Sequence, residues 1–199
     1  MKRFETISAT AAVLPEANVD TDIIYPARYL LIPDRVGLGA YAFFDRRDRL
    51  GAYWDFSPTS ILIVGENFGC GSSREQAVWC LADLGVQVIV APSFGEIFYN
   101  NCFKNGVLPI RLEPARYTEI SSAAMQGEVL TVSLEACTIT AGTRVHGFAV
   151  AAEQRQALLD GLDEIDLLLS KCEADISAFE RQRRRTAPWA FLDQDEVET

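Results

Sequence analysis

An unbroken apolar run at Ile61–Val64 and two mainly apolar segments at 86–91 and 107–111 alternate with segments of helical pattern, and the two helical segments between them leave through Gly85 and Gly106. A run of β-branched and aliphatic residues without polar alternation suits a strand covered on both faces, and such strands are usually parallel and joined by crossover helices. Glycine just past a helix supplies the left-handed backbone that stops it. The order strand 61–64, helix 73–84, strand 86–91, helix 94–104 and strand 107–111 therefore predicts α/β wiring. A first short strand is expected within residues 4–14. Residues 129–134, 138–141 and 143–149 alternate branched and polar side chains, which predicts a small antiparallel section. Residues 151–163 and 173–185 read as two amphipathic helices joined through 167–171.

The chain has 199 residues, 49% of them apolar, enough for a substantial core without disulfide staples. No internal repeat or linker marks a second domain, so residues 1–190 are expected to form one domain with a C-terminal helical appendage. Residues 191–199, rich in carboxylates, are expected to be a disordered acidic tail. The five cysteines, Cys70, Cys80, Cys102, Cys137 and Cys172, are odd in number and lack the paired spacings of metal ligation, which fits free thiols in a reducing cytoplasm. A formal charge of −10 argues against a nucleic-acid partner, since binding a phosphate backbone needs clustered cations. The basic run at residues 181–185 reads as a solvated helix end whose cations complement the helix dipole. Neither a membrane-spanning stretch nor a signal-peptide core is expected.

The chemistry is expected at residues 61–77, where the first buried strand runs into Gly65, Gly69 and Gly71 and then into a helix start carrying Ser72, Ser73 and Arg74. Ser72 followed by Glu75 matches a capping box, in which both side chains satisfy helix N–H groups. Free N–H groups at such a place attract a carboxylate or phosphate, and the guanidinium of Arg74 suits two-point contact with a carboxylate. The same residues also describe an ordinary N-cap, a solvated arginine and turn glycines. A second serine and a guanidinium beside a glycine-opened backbone exceed what a cap requires. Upstream, Asn18-Val-Asp-Thr-Asp22 sets two carboxylates around a hydroxyl, which Asx turns alone would explain. Residues 23–31 are expected to hold an extended piece and at most one helical turn. Residues 34–56, mixing glycines with Tyr41, Phe43, Phe44, Tyr53, Trp54 and Phe56, read as a packed loop over a pocket or interface.

Other chemistries fit less well. Gly69-Cys-Gly71 after a strand resembles part of a dinucleotide fingerprint, but Arg74 stands where the third glycine packs, and Pro92 and Ser93 follow the strand where a ribose-binding acid belongs. No Gly-Lys-Ser or Gly-Lys-Thr marks a P-loop, and no Gly-x-Ser-x-Gly marks a hydrolase elbow. Cys70 lacks a base, because the only histidine, His146, lies in a distant predicted strand. One histidine and scattered thiols supply no metal site, so none is expected on this chain. A carboxylate-binding regulatory module remains an alternative.

Three blocks carry a specific resemblance. Gly-Glu-Asn-Phe-Gly-Cys-Gly-Ser-Ser-Arg-Glu at 65–75, Asn-Val-Asp-Thr-Asp-Ile-Ile-Tyr-Pro-Ala-Arg-Tyr-Leu at 18–30, and Ala-Pro-Ser-Phe-Gly-Glu-Ile-Phe-Tyr-Asn-Asn-Cys-Phe-Lys-Asn-Gly-Val-Leu-Pro at 91–109 are similar to segments of the aconitase superfamily's swivelling domain. Their order and spacing over residues 1–190 resemble the free-standing small subunits of bacterial 3-isopropylmalate dehydratase. The resemblance implies a swivelling β/β/α fold with mixed parallel and antiparallel strands. It implies a hydro-lyase of leucine biosynthesis that isomerises 2-isopropylmalate to 3-isopropylmalate by dehydration and rehydration. A large partner subunit would bear a [4Fe-4S] cluster, this chain would bind no cofactor, and the substrate would be a small hydroxy-diacid. By the same resemblance Ser72 is the proton-abstracting base, Ser73 and Arg74 bind carboxylate, and Tyr29, Leu30, Leu31 and Ile32 face the group that distinguishes substrates. An apolar loop there suits an isopropyl group; packing of these four residues into the domain is the alternative. The chain departs from the family's pattern at Gln76, usually histidine, and at Ile-Ile-Tyr-Pro, usually Gln-Ile-Ile-Pro. A paralogue acting on dimethylmalate or citramalate and citraconate therefore stands beside the main reading.

Overall fold

The apolar runs become three adjacent strands of a parallel sheet. The structure, a computed structural model, describes residues 1–51, 54 and 57–191; Tyr53, Phe56 and the acidic tail from residue 192 lie outside them. In chain order the elements are β1 (Ile7–Ala9), β2 (Ala11–Leu14), α1 (Thr21–Ile24), α2 (Arg47–Leu50), β3 (Ile61–Val64), α3 (Gln76–Asp83), β4 (Val88–Ala91), α4 (Glu96–Lys104), β5 (Leu108–Arg111), α5 (Pro114–Met125), β6 (Leu130–Ser133), β7 (Thr138–Ala141), β8 (Arg144–Gly147), α6 (Ala152–Asp160) and α7 (Glu164–Thr186). Short 3-10 turns at Ala27–Tyr29, Leu38–Tyr41 and Phe44–Arg46 carry the excursion between α1 and β3.

β2, β3, β4 and β5 lie side by side in that order, all parallel, with Leu14 opposite Val64 and Val90 opposite Ile110. Alternate residues of each strand point to opposite faces, and both faces are dry. Leu62, Val64, Ile89 and Ala91 meet Val78 and Leu81 of α3 and Phe98 and Cys102 of α4. Ile61, Ile63, Val88, Val90 and Ile110 meet Ile120 and Ala123 of α5 and also Leu130, Val132 and Ile139 of the second sheet. That second sheet is antiparallel, in the order β1-β6-β7-β8. Pro109 is tolerated because β5 is an edge strand, where a missing N–H costs no ladder bond.

Three elements differ from the sequence reading. The single strand expected in 4–14 is two strands that part at Thr10, one joining each sheet. Alternation cannot show a change of partner, because both halves keep extended backbone. Helix α5 is absent from the sequence reading, although Pro114 sits at its first turn. The two C-terminal helices become a short α6, ended by Gly161 at φ 71, and a 23-residue α7 beginning before 173. The cause is Asp163, whose carboxylate accepts from the N–H groups of Ile165 and Asp166 while Asp166 accepts in return from the Asp163 N–H.

Because Ile63 is fully buried between the two layers, Ile63→Ala is expected to lower unfolding free energy by about 2–5 kcal/mol. Urea titration followed by circular dichroism measures this as a lower midpoint with an unchanged slope.

Candidate active site

Loops at the carboxyl ends of adjacent parallel strands converge, and open α/β sheets present ligand sites on that edge. The loops after β2, β3 and β4 are stitched by backbone bonds. The Asn18 N–H donates to the Glu66 carbonyl at 2.8 Å, Gly69 to Val19 at 2.7 Å, Thr21 to Cys70 at 3.0 Å, and Gly95 to Phe68 at 2.9 Å. Ser93 Oγ accepts from the Asn67 N–H at 2.9 Å, and the Asn67 amide donates to Asn18 Oδ1 at 2.8 Å. Both asparagines have left-handed backbone, a conformation their short polar side chains tolerate.

Such close approach needs residues without a Cβ. A Cβ on Gly95 would lie 2.4 Å from the Gly69 carbonyl oxygen, and one on Gly69 would lie 2.2 Å from Cγ of Phe98. Gly69 and Gly71 have φ of +71° and +88°, in the region that favours glycine. Gly69 is therefore required for packing as well as turning, and Gly71 for turning alone.

Asp20, Thr21 and Asp22 each have a separate task. Asp20 caps α1, accepting from the Ile23 N–H at 2.8 Å. The buried Thr21 hydroxyl donates to the Ser72 carbonyl at 3.0 Å. The carboxylate of Asp22 accepts from the Ala27 N–H and pairs with Nη1 of Arg74. The Arg74 side chain is largely buried, and its Nη1 makes the ion pair without a well-formed hydrogen bond. Asx turns thus account for Asp20 alone; the other two residues reach across to the Ser-Ser-Arg turn, a pairing invisible in local sequence.

The expected capping box does not form. Helix α3 begins at Gln76 with Glu75 in the cap position and no side-chain cap. Thr21 and the Arg74 N–H both use the Ser72 carbonyl, which keeps residues 72–75 out of the helix, and Glu75 instead accepts from the Asn105 amide at 2.8 Å. Ser72 and Ser73 are exposed, and neither hydroxyl has a partner among the described residues. The turn therefore presents two uncommitted hydroxyls beside an oriented guanidinium. The same gap between Gly71 and α3 removes the glycine-to-helix junction that a dinucleotide pyrophosphate requires.

Cys70 does not offer a thiolate. Burial raises its pKa, and the Asp20 carboxylate raises it further. His146 stands on β8, 3.2 Å from Glu119, on the other sheet. No three His, Cys, Asp or Glu side chains form a metal-ligating group among the described residues.

Residues 1–115 match the aconitase C-terminal domain, and residues 173–193 match the C-terminal domain of the 3-isopropylmalate dehydratase small subunit. Proteins named 3-isopropylmalate dehydratase small subunit from Ruegeria sp. (strain TM1040) and Bacillus licheniformis are 43% and 46% identical, covering 95% and 92% of this chain and 100% and 97% of their own. The chain belongs to the 3-isopropylmalate dehydratase small-subunit family. One from Pelagibacter ubique is 38% identical over 98% of this chain. The crystal structure of 3-isopropylmalate dehydratase from Methanocaldococcus jannaschii shares the fold, with a TM-score of 0.69, 24% identity and coverage of 87% of this chain and 99% of that one.

In this family member the loop after the Asp-Thr-Asp block divides its residues between two roles. Tyr29, Leu30 and Ile32 pack against the core, while Leu31 is 93% exposed. The Tyr29 ring lies 4.3 Å from Tyr41 between centroids, Arg28 stacks over it at 4.7 Å, and Arg28 pairs with Asp45. Packing into the domain thus describes Tyr29, Leu30 and Ile32, and Leu31 stands clear of the core.

Gly69→Ala is expected to cost about 1–3 kcal/mol for the collision with Phe98, added to about 1–2 kcal/mol for the left-handed backbone. Gly71→Ala incurs only the backbone part, since its Cβ would meet only Asp20 Cβ, at 3.5 Å. Denaturant titration of both variants checks the difference.

Proposed function

We propose that the chain is the small subunit of a 3-isopropylmalate dehydratase, a cytoplasmic hydro-lyase of leucine biosynthesis active only with its large subunit. The observation that carries the reading is the junction of the two loops, where Thr21 holds the Ser72 carbonyl and Asp22 orients Arg74 while both serine hydroxyls stay uncommitted.

Isomerising 2-isopropylmalate requires removing a proton from one carbon and a hydroxyl from its neighbour, then adding water back in the opposite sense. Ser72 takes the proton and later returns it. A serine hydroxyl is a weak base in water, so its alkoxide must be stabilised by nearby N–H groups and cations in a closed, dry site. The exposure of Ser72 in the isolated chain fits a site over which the large subunit forms the lid. Ser73 and Arg74 hold a substrate carboxylate, with Asp22 setting the guanidinium plane and leaving its other N–H groups for the ligand. A [4Fe-4S] cluster on the large subunit would supply Lewis-acid activation of the hydroxyl. Leu31 meets the isopropyl group, an apolar contact that a third carboxylate would not tolerate. Gln76, at the first position of α3, cannot carry the charge of the histidine usual there, and this favours, as a second reading, a paralogue acting on another alkylmalate.

In the reconstituted two-chain enzyme, absorbance of the unsaturated diacid is followed with 2-isopropylmalate, citraconate and aconitate as inputs. Preferential turnover of 2-isopropylmalate supports the reading, and preference for citraconate moves the chain to the paralogue. Ser72→Ala is expected to lower kcat by about 10²–10⁴ with assembly intact; near-normal kcat would remove Ser72 from the mechanism. Arg74→Lys is expected to reduce kcat/KM by roughly 10–100-fold through loss of the two-point contact. Unchanged kinetics would make Arg74 a structural partner of Asp22 only.

A further inference from the structure

Helix α7 presents an apolar seam that the domain does not cover. None of its described residues is buried, although the helix is 23 residues long. Ile165, Leu169, Cys172, Ile176 and Phe179 recur at alternating intervals of four and three residues, the repeat of a helix that lays one stripe against a partner. Ile165, Leu169 and Phe179 are 68%, 50% and 65% exposed, and Leu168 beside them is 60% exposed. Contiguous exposed apolar surface on this scale marks an interaction site. Arg183 occupies the next seam position and ends the stripe.

The charges beside the seam decide what covers it. Asp166, Glu173 and Glu180 follow it along one edge, and Asp175 lies on the other. Two copies paired antiparallel would set Glu173 against Glu173 and Asp166 against Glu180; paired parallel, they would set Asp175 against Glu180. Either arrangement opposes like charges, and each copy already carries a formal −10. The stripe therefore fits a different chain with an apolar groove and a cationic rim. Residues 173–193 match the C-terminal domain of the small subunit, whereas the aconitase match stops at residue 115, so the segment goes with subunit identity rather than with the swivelling fold.

We propose that α7 is a docking arm whose Ile165–Phe179 stripe seats in a cation-rimmed apolar groove on the large dehydratase subunit. This rests on the small-subunit reading above. The base of the arm lies with Met1, Phe103 and Lys104 at the carboxyl end of α4. None of the stripe residues belongs to the Ser72 turn or to the loops stitched to it, so arm contact is assigned to affinity rather than turnover.

The test titrates the large subunit of the same organism with the full chain and with the double variant Leu169→Glu, Ile176→Glu. Dissociation constant and kcat at saturation are measured, and circular dichroism confirms that the helix remains. The expected result is a dissociation constant raised about a hundredfold, from loss of two buried aliphatic contacts, with saturated kcat unchanged. Ser72→Ala should show the reverse, normal binding without turnover. As a measurement on the unaltered chain, the large subunit should slow alkylation of Cys172 at least tenfold and leave Cys137 unaffected. Equal affinity of double variant and parent, or unprotected Cys172 in the assembled enzyme, overturns the arm while leaving the function standing. Failure of the parent chain to bind the large subunit overturns the functional reading and the arm together. A self-associated chain dispersed by the double variant assigns the stripe to a second copy and overturns the proposal.

Discussion

Backbone contact between Gly69 and Gly95 is the constraint on which the site depends. At this point the loops after β3 and β4 approach so closely that a Cβ on Gly95 would sit 2.4 Å from the Gly69 oxygen. With that space open, Gly95 donates to Phe68 and Gly69 donates to Val19, drawing the third loop alongside. Phe68, Phe94 and Phe98 then pack beneath the junction, with Phe68 and Phe98 edge to face at 5.4 Å. The site stands on main-chain bonds over an aromatic floor. Its geometry is therefore insensitive to the rotamers of its own exposed side chains, which preorganisation requires.

On that base the two chemical loops divide the work of positioning. Thr21, buried, ties down a carbonyl that would otherwise pull residues 72–75 into the helix. Asp22, exposed, restrains a guanidinium whose stem is buried. Glu75 is anchored to Asn105 at the carboxyl end of α4. Each of these partners holds a residue next to the proposed chemistry and leaves the reacting hydroxyl alone. Caps and ion pairs that look merely structural thus keep Ser72 unbonded.

What could be read from the sequence follows from how local each cause is. Continuous apolar runs place β3 and β4 closely, because burial on both faces leaves no polar residue in a strand whatever its neighbours, and β5 is apolar until the exposed Arg111 at its end. Gly85 and Gly106 adopt the positive φ expected beyond their helices. The Ser-Ser-Arg turn stands where the motif puts it, but the capping box fails because its competitor, Thr21, lies 51 residues away in sequence. The break at Thr10 is hidden for a similar reason: sheet membership is decided by Ile61 and Val132, far along the chain. The onset of α7 could have been found, since Asp163 followed by Asp166 is a capping pair written in adjacent turns. The Asp22–Arg74 pair could not, as no local pattern distinguishes that carboxylate from Asp20.

The distribution of burial across the chain also fits the proposal that its chemistry needs a partner. Both faces of the parallel sheet are covered by the chain's own helices and second sheet, so the core is finished without a partner. The groups proposed to act with substrate or partner, the Ser72 and Ser73 hydroxyls, Leu31 and the α7 stripe, are among those left uncovered. A base that must work out of water cannot be buried by its own domain without blocking substrate entry. Placing the lid on a second polypeptide resolves that conflict. In the proposed mechanism a self-sufficient fold carries the oriented groups, and desolvation arrives only when substrate and partner close over the Ser-Ser-Arg turn.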